Sequence, residues 1–239
     1  MKFKTIFFVA VMVSIWSTHA LAQGCEPVTF DDYTYEVVQI GHQCWFAENL
    51  RTSIFSNGDD IPFVESDMDW SSAMYPSNCV FGNYLANENA YGRLYNWFAV
   101  IDFRELCPIG FHVPSRYDFV QLERAIGISA QGSSAGPSEE YHLNSHVLYK
   151  ILMANSDNKP SWGGTNQSGF NLVPGGARGA DGIFGNLGSS TILWTATSKI
   201  DETAYNVLFM VNQNKRNEGT IAVVARQKRM GFSVRCIKD

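Results

Sequence analysis

The chain has 239 residues, a formal net charge of −5 and five cysteines. The negative charge argues against nucleic acid as a partner, because phosphate backbones attract positively charged surfaces. The length suits one long, loop-rich domain, and no Pro-rich or Ser-rich linker divides the sequence.

The N-terminus has the three parts of a secretory signal peptide. Lys2 and Lys4 precede an apolar run at residues 6–16, and small residues follow up to Ala22. This layout predicts cleavage after Ala22, and the run is shorter than the about 20 residues that cross a membrane. We therefore expect a signal peptide at 1–22 and an exported chain with no transmembrane segment.

The exported part is expected to be one domain at residues 23–239, secreted or held at the cell surface. A lipid anchor on Cys25 is the less favoured alternative, because Ala22 stands where lipid attachment sites prefer Leu. Loss of Lys2 and Lys4 changes the net charge to −7.

The first part of the exported chain combines a strand, long loops and a helix. Residues 33–40 are rich in Tyr, Val and Thr and run into Gly41, which predicts a strand closed by a turn. Residues 52–90 carry many Asn, Asp and Ser and predict long loops. Ser115 with Asp118 resembles a capping box, and the apolar residues that follow predict a helix that ends at Gly127.

The second part begins with a Gly/Ser/Pro loop at 131–138 and a second amphipathic helix, in which Leu143, Val147 and Ile151 lie four apart. Glycines crowd residues 163–188 and predict tight turns. Alternating apolar residues then predict three strands: a hairpin of 205–211 with 220–225, and a last strand at 231–237 with Phe232, Val234 and Cys236 inward and Ser233 and Arg235 outward.

Four sequence blocks in order carry a resemblance to a known family. They are VQIGHQCW at 38–45 with ENL at 48–50, YGRLYNW at 91–97, CPIGFHVPS at 107–115, and SGF at 168–170 with GFSVRC at 231–236. Over about residues 30–239 the chain resembles the Fibrobacter succinogenes major paralogous domain, a family of exported proteins abundant in Bacteroidota. That resemblance implies the C-type-lectin-like α+β fold of formylglycine-generating enzymes, with two helices, a distorted antiparallel sheet, long irregular loops and adjacent terminal strands.

Disulfides are expected rather than a metal site, because the cysteines lack close ligand spacing such as C-x-x-C. We predict one bridge between Cys107 and Cys236, since the first opens the third block and the second lies on the closing strand. A second bridge is predicted between Cys44 and Cys79, which leaves Cys25 free. No cofactor is expected.

The two open functional classes are a non-catalytic binding module and a divergent enzyme of the formylglycine-generating type. Binding is favoured, because such an enzyme uses two reactive cysteines late in the fold and only Cys236 lies there. No Gly-x-Ser-x-Gly elbow or phosphate-binding Gly-Lys-Ser/Thr occurs. His142 and His146 lie four apart on the second predicted helix, but without a third ligand they do not predict a metal site.

Aromatic residues in loops are the candidates for contact with a glycan or a protein at the cell surface, because their rings can stack on sugars or anchor a partner. We expect that loss of Trp162 weakens binding without unfolding the protein, whereas Trp97 belongs to the core. The full set of predicted ligand-binding residues is Trp162, Trp70, Tyr75, Asn166 and Arg178.

Overall fold

The computed structural model describes residues 24–127, 141–145, 148–211 and 219–239, without the side chains of 141–145, 148 and 149. The predicted signal peptide, the predicted loop at 131–138 and His146 lie outside these ranges.

Short helices and many strands make a mixed α+β structure that is mostly sheet. The helices are α1 (Asp67–Ser72), α2 (Glu88–Tyr91), α3 (Trp97–Val100), α4 (Arg116–Ala125) and α5 (Leu148–Leu152), with 3₁₀ turns at Phe81–Asn83 and Leu85–Asn87. The strands are β1 (Val28–Phe30), β2 (Tyr33–Tyr35), β3 (Val37–Ile40), β4 (Gln43–Phe46), β5 (Asn78–Cys79), β6 (Leu94–Tyr95), β7 (Phe111–His112), β8 (Tyr141–Ser145), β9 (Gly175–Arg178), β10 (Phe184–Leu187), β11 (Ser190–Ile200), β12 (Thr203–Val211), β13 (Gly219–Gln227) and β14 (Ile237–Lys238). In the described ranges, no helix is both long enough and apolar enough to cross a membrane.

The largest sheet has six strands in the order β10-β9-β11-β12-β13-β8, and its neighbours are antiparallel except for the pair β9 and β11. A second sheet has the order β3-β4-β14-β7, and the pairs β1-β2 and β5-β6 stand apart. The predicted hairpin is confirmed, since β12 and β13 pair continuously from Thr203 opposite Gln227 to Val211 opposite Gly219.

The centre of the large sheet is buried on both faces. Along β11, Ile192 and Trp194 point into one hydrophobic cluster and Leu193 into another. Successive side chains of a strand point to opposite faces, so the apolar run at 192–194 fits a strand with a core on each side. Segments on both sides of the sheet therefore pack against its apolar side chains.

Helix α4 confirms the predicted capping box. The Ser115 hydroxyl accepts a hydrogen bond from the Asp118 amide at 3.3 Å, and the Asp118 carboxylate accepts one from the Ser115 amide at 2.8 Å. Both bonds satisfy amides that have no partner inside the helix. Phe119 and Leu122 then face the core cluster that also holds Leu193.

The second predicted helix is wrong over its first half. Residues 141–145 form β8, which pairs with β13 from Tyr141 opposite Val223 to Ser145 opposite Gly219, and helix α5 covers only Leu148–Leu152. Strand β13 has backbone groups that need a partner on this side, and β8 supplies it. His142 therefore lies in a strand rather than on the predicted helix.

The last strand is also shorter than predicted. Only Ile237–Lys238 is regular, and Ser233 and Arg235 are buried together with Phe232, Val234 and Cys236. Single bridges from residues 231–233 reach three different strands: β6, β9 and β11. The predicted outward polar face does not exist, because this segment has protein on both sides.

The Cys107–Cys236 bridge is confirmed, but the predicted Cys44–Cys79 bridge is wrong. Cys44 pairs instead with Cys25, across a Cα–Cα distance of 5.4 Å. Cys79 is a buried free thiol on β5 and packs in a cluster with Trp70, away from the N-terminal segment. Burial raises the pKa of the Cys79 thiol to about 12.

Thiol chemistry tests this arrangement. Non-reducing peptide mapping is expected to recover Cys25–Cys44 and Cys107–Cys236 peptides, and maleimide at pH 8 should label Cys79 only after denaturation. The thiolate is the reactive form, and burial suppresses both its formation and its access to reagent. Labelling of native Cys79 at the rate of the urea-unfolded chain, or a Cys44–Cys79 peptide, would contradict the structure.

Candidate functional site

The two predicted ligand-binding tryptophans lie inside the protein. Trp70 is 1% exposed and packs with Val64 and Cys79, whereas Trp162 is 9% exposed and packs in the cluster that contains α4. Neither ring offers a free face for stacking on a ligand. The two side chains also belong to different clusters, so they do not line one surface.

Arg178 is a buried structural residue. Its guanidinium lies 4.6 Å from the ring centroids of both Trp70 and Phe184, and its Nε donates to the Gly182 carbonyl at 2.7 Å. The same guanidinium pairs with Asp67 at 2.9 Å. The structure therefore brings Trp70 and Arg178 together as part of a packed core.

Asn166 and Tyr75 occupy two further places. The Asn166 side-chain oxygen accepts from the Asn171 amide at 2.8 Å and so shapes a turn. Tyr75 is 48% exposed, and its role in ligand contact stays a prediction. Only one of the five predicted residues thus presents a large exposed side chain.

A polar cleft elsewhere joins several parts of the chain. It has a volume of 370 Å³ and is called the Glu48 cleft after the carboxylate in its wall. Pockets of about 300–1,000 Å³ are typical of small-ligand sites. Its lining comprises Tyr33, Glu36, Ala47, Glu48, Asn49, Arg51, Asn89, Ala90, Tyr91, Gly92, Asn158, Lys159, Asn171 and Val173.

Three side chains form an ordered cluster in one wall of the cleft. The Tyr33 hydroxyl lies 2.9 and 3.0 Å from the two Glu48 carboxylate oxygens, and Arg51 donates to one of those oxygens. The Arg51 guanidinium also stacks over the Tyr33 ring, 3.9 Å from its centroid. Each group restrains the others, so the cluster presents a fixed pattern of donors and acceptors.

The protonation state of Tyr33 follows from this contact. Burial, and then the negative charge of Glu48, raise the pKa of the Tyr33 hydroxyl above its usual value of 10.0. The hydroxyl therefore stays neutral and donates to Glu48 throughout the physiological range. A neutral phenol of this kind is a hydrogen-bonding group and a poor nucleophile.

Asn49 fixes the floor of the cleft. Its side-chain amide donates to the Tyr91 carbonyl at 2.9 Å and lies 3.3 Å from the Ser233 hydroxyl, and its oxygen accepts from Arg235 Nε at 3.1 Å. A buried polar group is stable when its hydrogen bonds are made. Asn49 is buried and makes all three of these bonds, so it joins the α2 segment to the C-terminal segment.

Arg235 extends this network beneath the cleft. Its guanidinium is fully buried and donates to the carbonyls of Phe46, Phe170 and Asn171. It also lies 4.1 Å from the centroid of the Phe170 ring. Burial lowers the pKa of Arg235, and the negative charge of Glu48 opposes this shift. The surrounding carbonyl oxygens accept hydrogen bonds from the guanidinium, whose donors would otherwise be unpaired.

Gly92 allows the close approach that the cleft needs. It has a φ of 73°, and a Cβ at this position would lie 2.7 Å from the Leu50 carbonyl oxygen. Positive φ suits glycine, and a side chain would also collide with Asn49. The backbone after α2 can therefore lie directly on the segment that follows β4.

Asn171 brings an unpartnered acceptor to the opposite wall. Its backbone carbonyl accepts from Arg235 and its amide donates to Asn166, but its buried side-chain oxygen has no hydrogen-bond partner among the described residues. An unpaired buried acceptor carries a desolvation cost. A ligand donor in the cleft would remove that cost.

The Glu48 cleft was not among the sites predicted from the sequence, although its residues lie in or beside the family-like blocks. Glu48 and Asn49 come from the first family-like block, Tyr91 and Gly92 from the second, and Asn171 directly follows the SGF of the fourth. Their meeting depends on contacts between segments more than 40 residues apart. Within the described ranges, no group of three or more His, Cys, Asp or Glu side chains could hold a metal ion.

The burial of Trp162 changes the prediction for its loss. Trp162→Ala is expected to lower the free energy of unfolding by about 3–5 kcal/mol, as is Trp97→Ala, because both remove a buried aromatic side chain. Urea unfolding measures both effects, with Phe103→Ala as the control at a 90% exposed aromatic. A Trp162→Ala midpoint equal to that of the unmodified protein would show that the ring is not part of the core.

Comparison with known proteins gives one match. Residues 38–238 match the model of the Fibrobacter succinogenes major domain, a span that includes every lining residue of the Glu48 cleft except Tyr33 and Glu36. No curated protein and no solved structure is similar enough to match the chain. The chain belongs to the Fibrobacter succinogenes major domain family.

Proposed function

We propose that the protein is a non-catalytic binding module that holds a glycan in the Glu48 cleft. The observation that carries this proposal is the Tyr33–Glu48–Arg51 cluster, a restrained set of donors, acceptors and ring surface in the wall of a 370 Å³ cleft. Sugar rings present hydroxyls at their edges and C–H groups on their faces. The cleft offers a partner for each kind of group.

The rest of the lining supports a hydroxyl-rich ligand. The amides of Asn89, Asn158 and Asn171 can each donate and accept, which suits hydroxyls that do both. Tyr33 and Tyr91 are half-buried and bring aromatic surface. A concave site of this size suits one or two sugar units better than a protein surface, which binds over a much larger area.

The cysteines argue against the alternative of a divergent formylglycine-generating enzyme. Chemistry of that type needs two thiols close together. Two disulfides engage four of the five cysteines, and the remaining thiol at Cys79 is buried with a raised pKa. A thiol in that state is chemically inert, so the binding role is the better-supported one.

We also propose export and a C-type-lectin-like fold. Two disulfides suit an oxidising compartment, and the Cys25–Cys44 bridge leaves Cys25 without a thiol for a lipid. The two ends of the domain meet, since β14 pairs between β4 and β7 and Lys238 Nζ donates to the Gly24 carbonyl at 3.1 Å. Adjacent terminal strands are a feature that the family resemblance implies.

Arg51→Met tests the proposed site. A glycan array first identifies an oligosaccharide that binds, and calorimetric titration then measures its affinity. Removal of the guanidinium should weaken binding at least tenfold, because it removes a charge-assisted donor and releases Glu48 from its fixed position.

Arg104→Met is the matched control. Arg104 also pairs with a carboxylate, that of Asp102 at 2.7 Å, and also stacks on a ring, that of Phe55 at 4.1 Å, but it does not line the cleft. The Arg104→Met variant should bind the same oligosaccharide with the affinity of the unmodified protein. An array without binding, or equal affinities for the two variants, would contradict the proposal.

A further inference from the structure

A second concave surface lies on the outer part of the six-stranded sheet. Two cavities of 420 Å³ and 790 Å³ adjoin there, and four residues line both: Gly179, Asp181, Arg226 and Met230. We call the two cavities together the Arg226 groove. None of its lining residues lines the Glu48 cleft.

The floor of the smaller cavity is apolar. Ile192 of β11 lies directly opposite Leu208 of β12, and Met210 stands two residues farther along β12 on the same face. Met210 is 45% exposed. Exposed apolar surface inside a concavity favours the burial of an apolar ligand group.

Arg226 lies beyond one end of this apolar row. It lies opposite Ala204 in the β12–β13 register, and Leu208 and Met210 stand four and six positions farther along the same face of β12. Ala204 and Asn206 on that face are fully buried and line neither cavity. The groove therefore places a cation in the same cavity as a short apolar row of Ile192, Leu208 and Met210.

The Arg226 guanidinium has no partner among the described residues. Its Nε is buried and makes no hydrogen bond. Asp181 lines the same cavities but forms no ion pair with it, and an Asp181 carboxylate oxygen accepts from the Ile183 amide at 3.1 Å. Arg226 as a whole is half-buried. A buried Nε donor without a partner carries a cost, and because the guanidinium is positively charged, this position fits an anionic ligand group.

The larger cavity has a second cation in its lining, Arg229. Arg229 donates to the Ser71 carbonyl at 2.7 Å, so one of its donors is already engaged. Of the two cavities, Arg229 lines only the larger, whereas Arg226 lines both, so Arg226 is the cation beside the apolar floor.

We propose that the Arg226 groove binds an amphipathic carboxylate, with the carboxylate on Arg226 and the hydrocarbon chain along Ile192, Leu208 and Met210. Guanidinium and carboxylate match in a planar, two-point hydrogen bond. The hydrocarbon chain gains from leaving water along the apolar row. This site is independent of the proposed glycan binding and uses different side chains.

Titration of the exported chain with dodecanoate, below its micelle concentration, tests the proposal. The expected result is saturable binding that Arg226→Met weakens at least tenfold, with Arg226→Gln as a second variant if the first does not fold. Dodecyltrimethylammonium, which carries the same chain and the opposite charge, should bind at least tenfold more weakly than dodecanoate. Acetate should not bind measurably, because it lacks the chain.

Two variants complete the design. Met210→Asp places a like charge on the apolar row and should also weaken dodecanoate binding, whereas Arg104→Met, remote from the groove, should leave it unchanged. The proposal is overturned if dodecanoate does not bind, if Arg226→Met and Arg226→Gln bind it with unchanged affinity, or if the cationic detergent binds equally well.

Discussion

The buried guanidinium of Arg235 is the interaction on which the arrangement of the other segments depends. It donates to the carbonyl of Phe46 at the end of β4, to those of Phe170 and Asn171 before β9, and to the side chain of Asn49. These segments have few regular hydrogen bonds with one another. One five-donor side chain therefore supplies the directional contacts that a continuous sheet would otherwise provide.

Such a cation is stable inside the protein only if its position is fixed. The Cys107–Cys236 bridge joins the residue next to Arg235 to a point 129 residues earlier, and closing so long a loop restricts the unfolded chain by about 5 kcal/mol in the chain-entropy account. Val234 and Cys236 pack in a hydrophobic cluster on either side. Covalent closure, apolar packing and carbonyl acceptors together offset the desolvation of the guanidinium.

The Glu48 cleft is a consequence of this arrangement. Asn49 is held by Arg235 from below, and it holds the Tyr91 carbonyl above, while Gly92 permits the two backbones to touch. The polar cluster of Tyr33, Glu48 and Arg51 can then stand in a fixed wall. The binding groups are thus preorganised by the same contacts that stabilise the fold, which lowers the entropy cost of binding.

Local patterns predicted the local structure well. The capping box at Ser115 and Asp118 and the hairpin of β12 and β13 follow from signals that lie within short segments. The Cys107–Cys236 bridge joins positions 129 residues apart and is predicted from the third family-like block and the closing strand. The errors arose where tertiary contacts decide. Residues 141–145 have helical spacing but fill the edge of β13, and Ser233 and Arg235 look like an outer face but lie between packed segments.

The candidate site was less predictable, for a physical reason. Tryptophans in segments rich in turns suggested exposed rings, yet Trp70 and Trp162 are the apolar residues that those segments use to attach to the core. The cleft residues come from separate blocks of sequence, and their relation depends on buried hydrogen bonds of one asparagine and one arginine. A sequence pattern shows no such pairing, because neither residue type is usually buried.

A double-mutant cycle on Asn49 and Arg235 tests this account most directly. The free energy of unfolding is measured by urea denaturation for Asn49→Ala, Arg235→Met, the double variant and the unmodified protein. The account predicts a coupling energy of about 1–3 kcal/mol, since each variant leaves the other side chain with an unpaired buried group. Additive effects of the two substitutions, within about 0.3 kcal/mol, would contradict it.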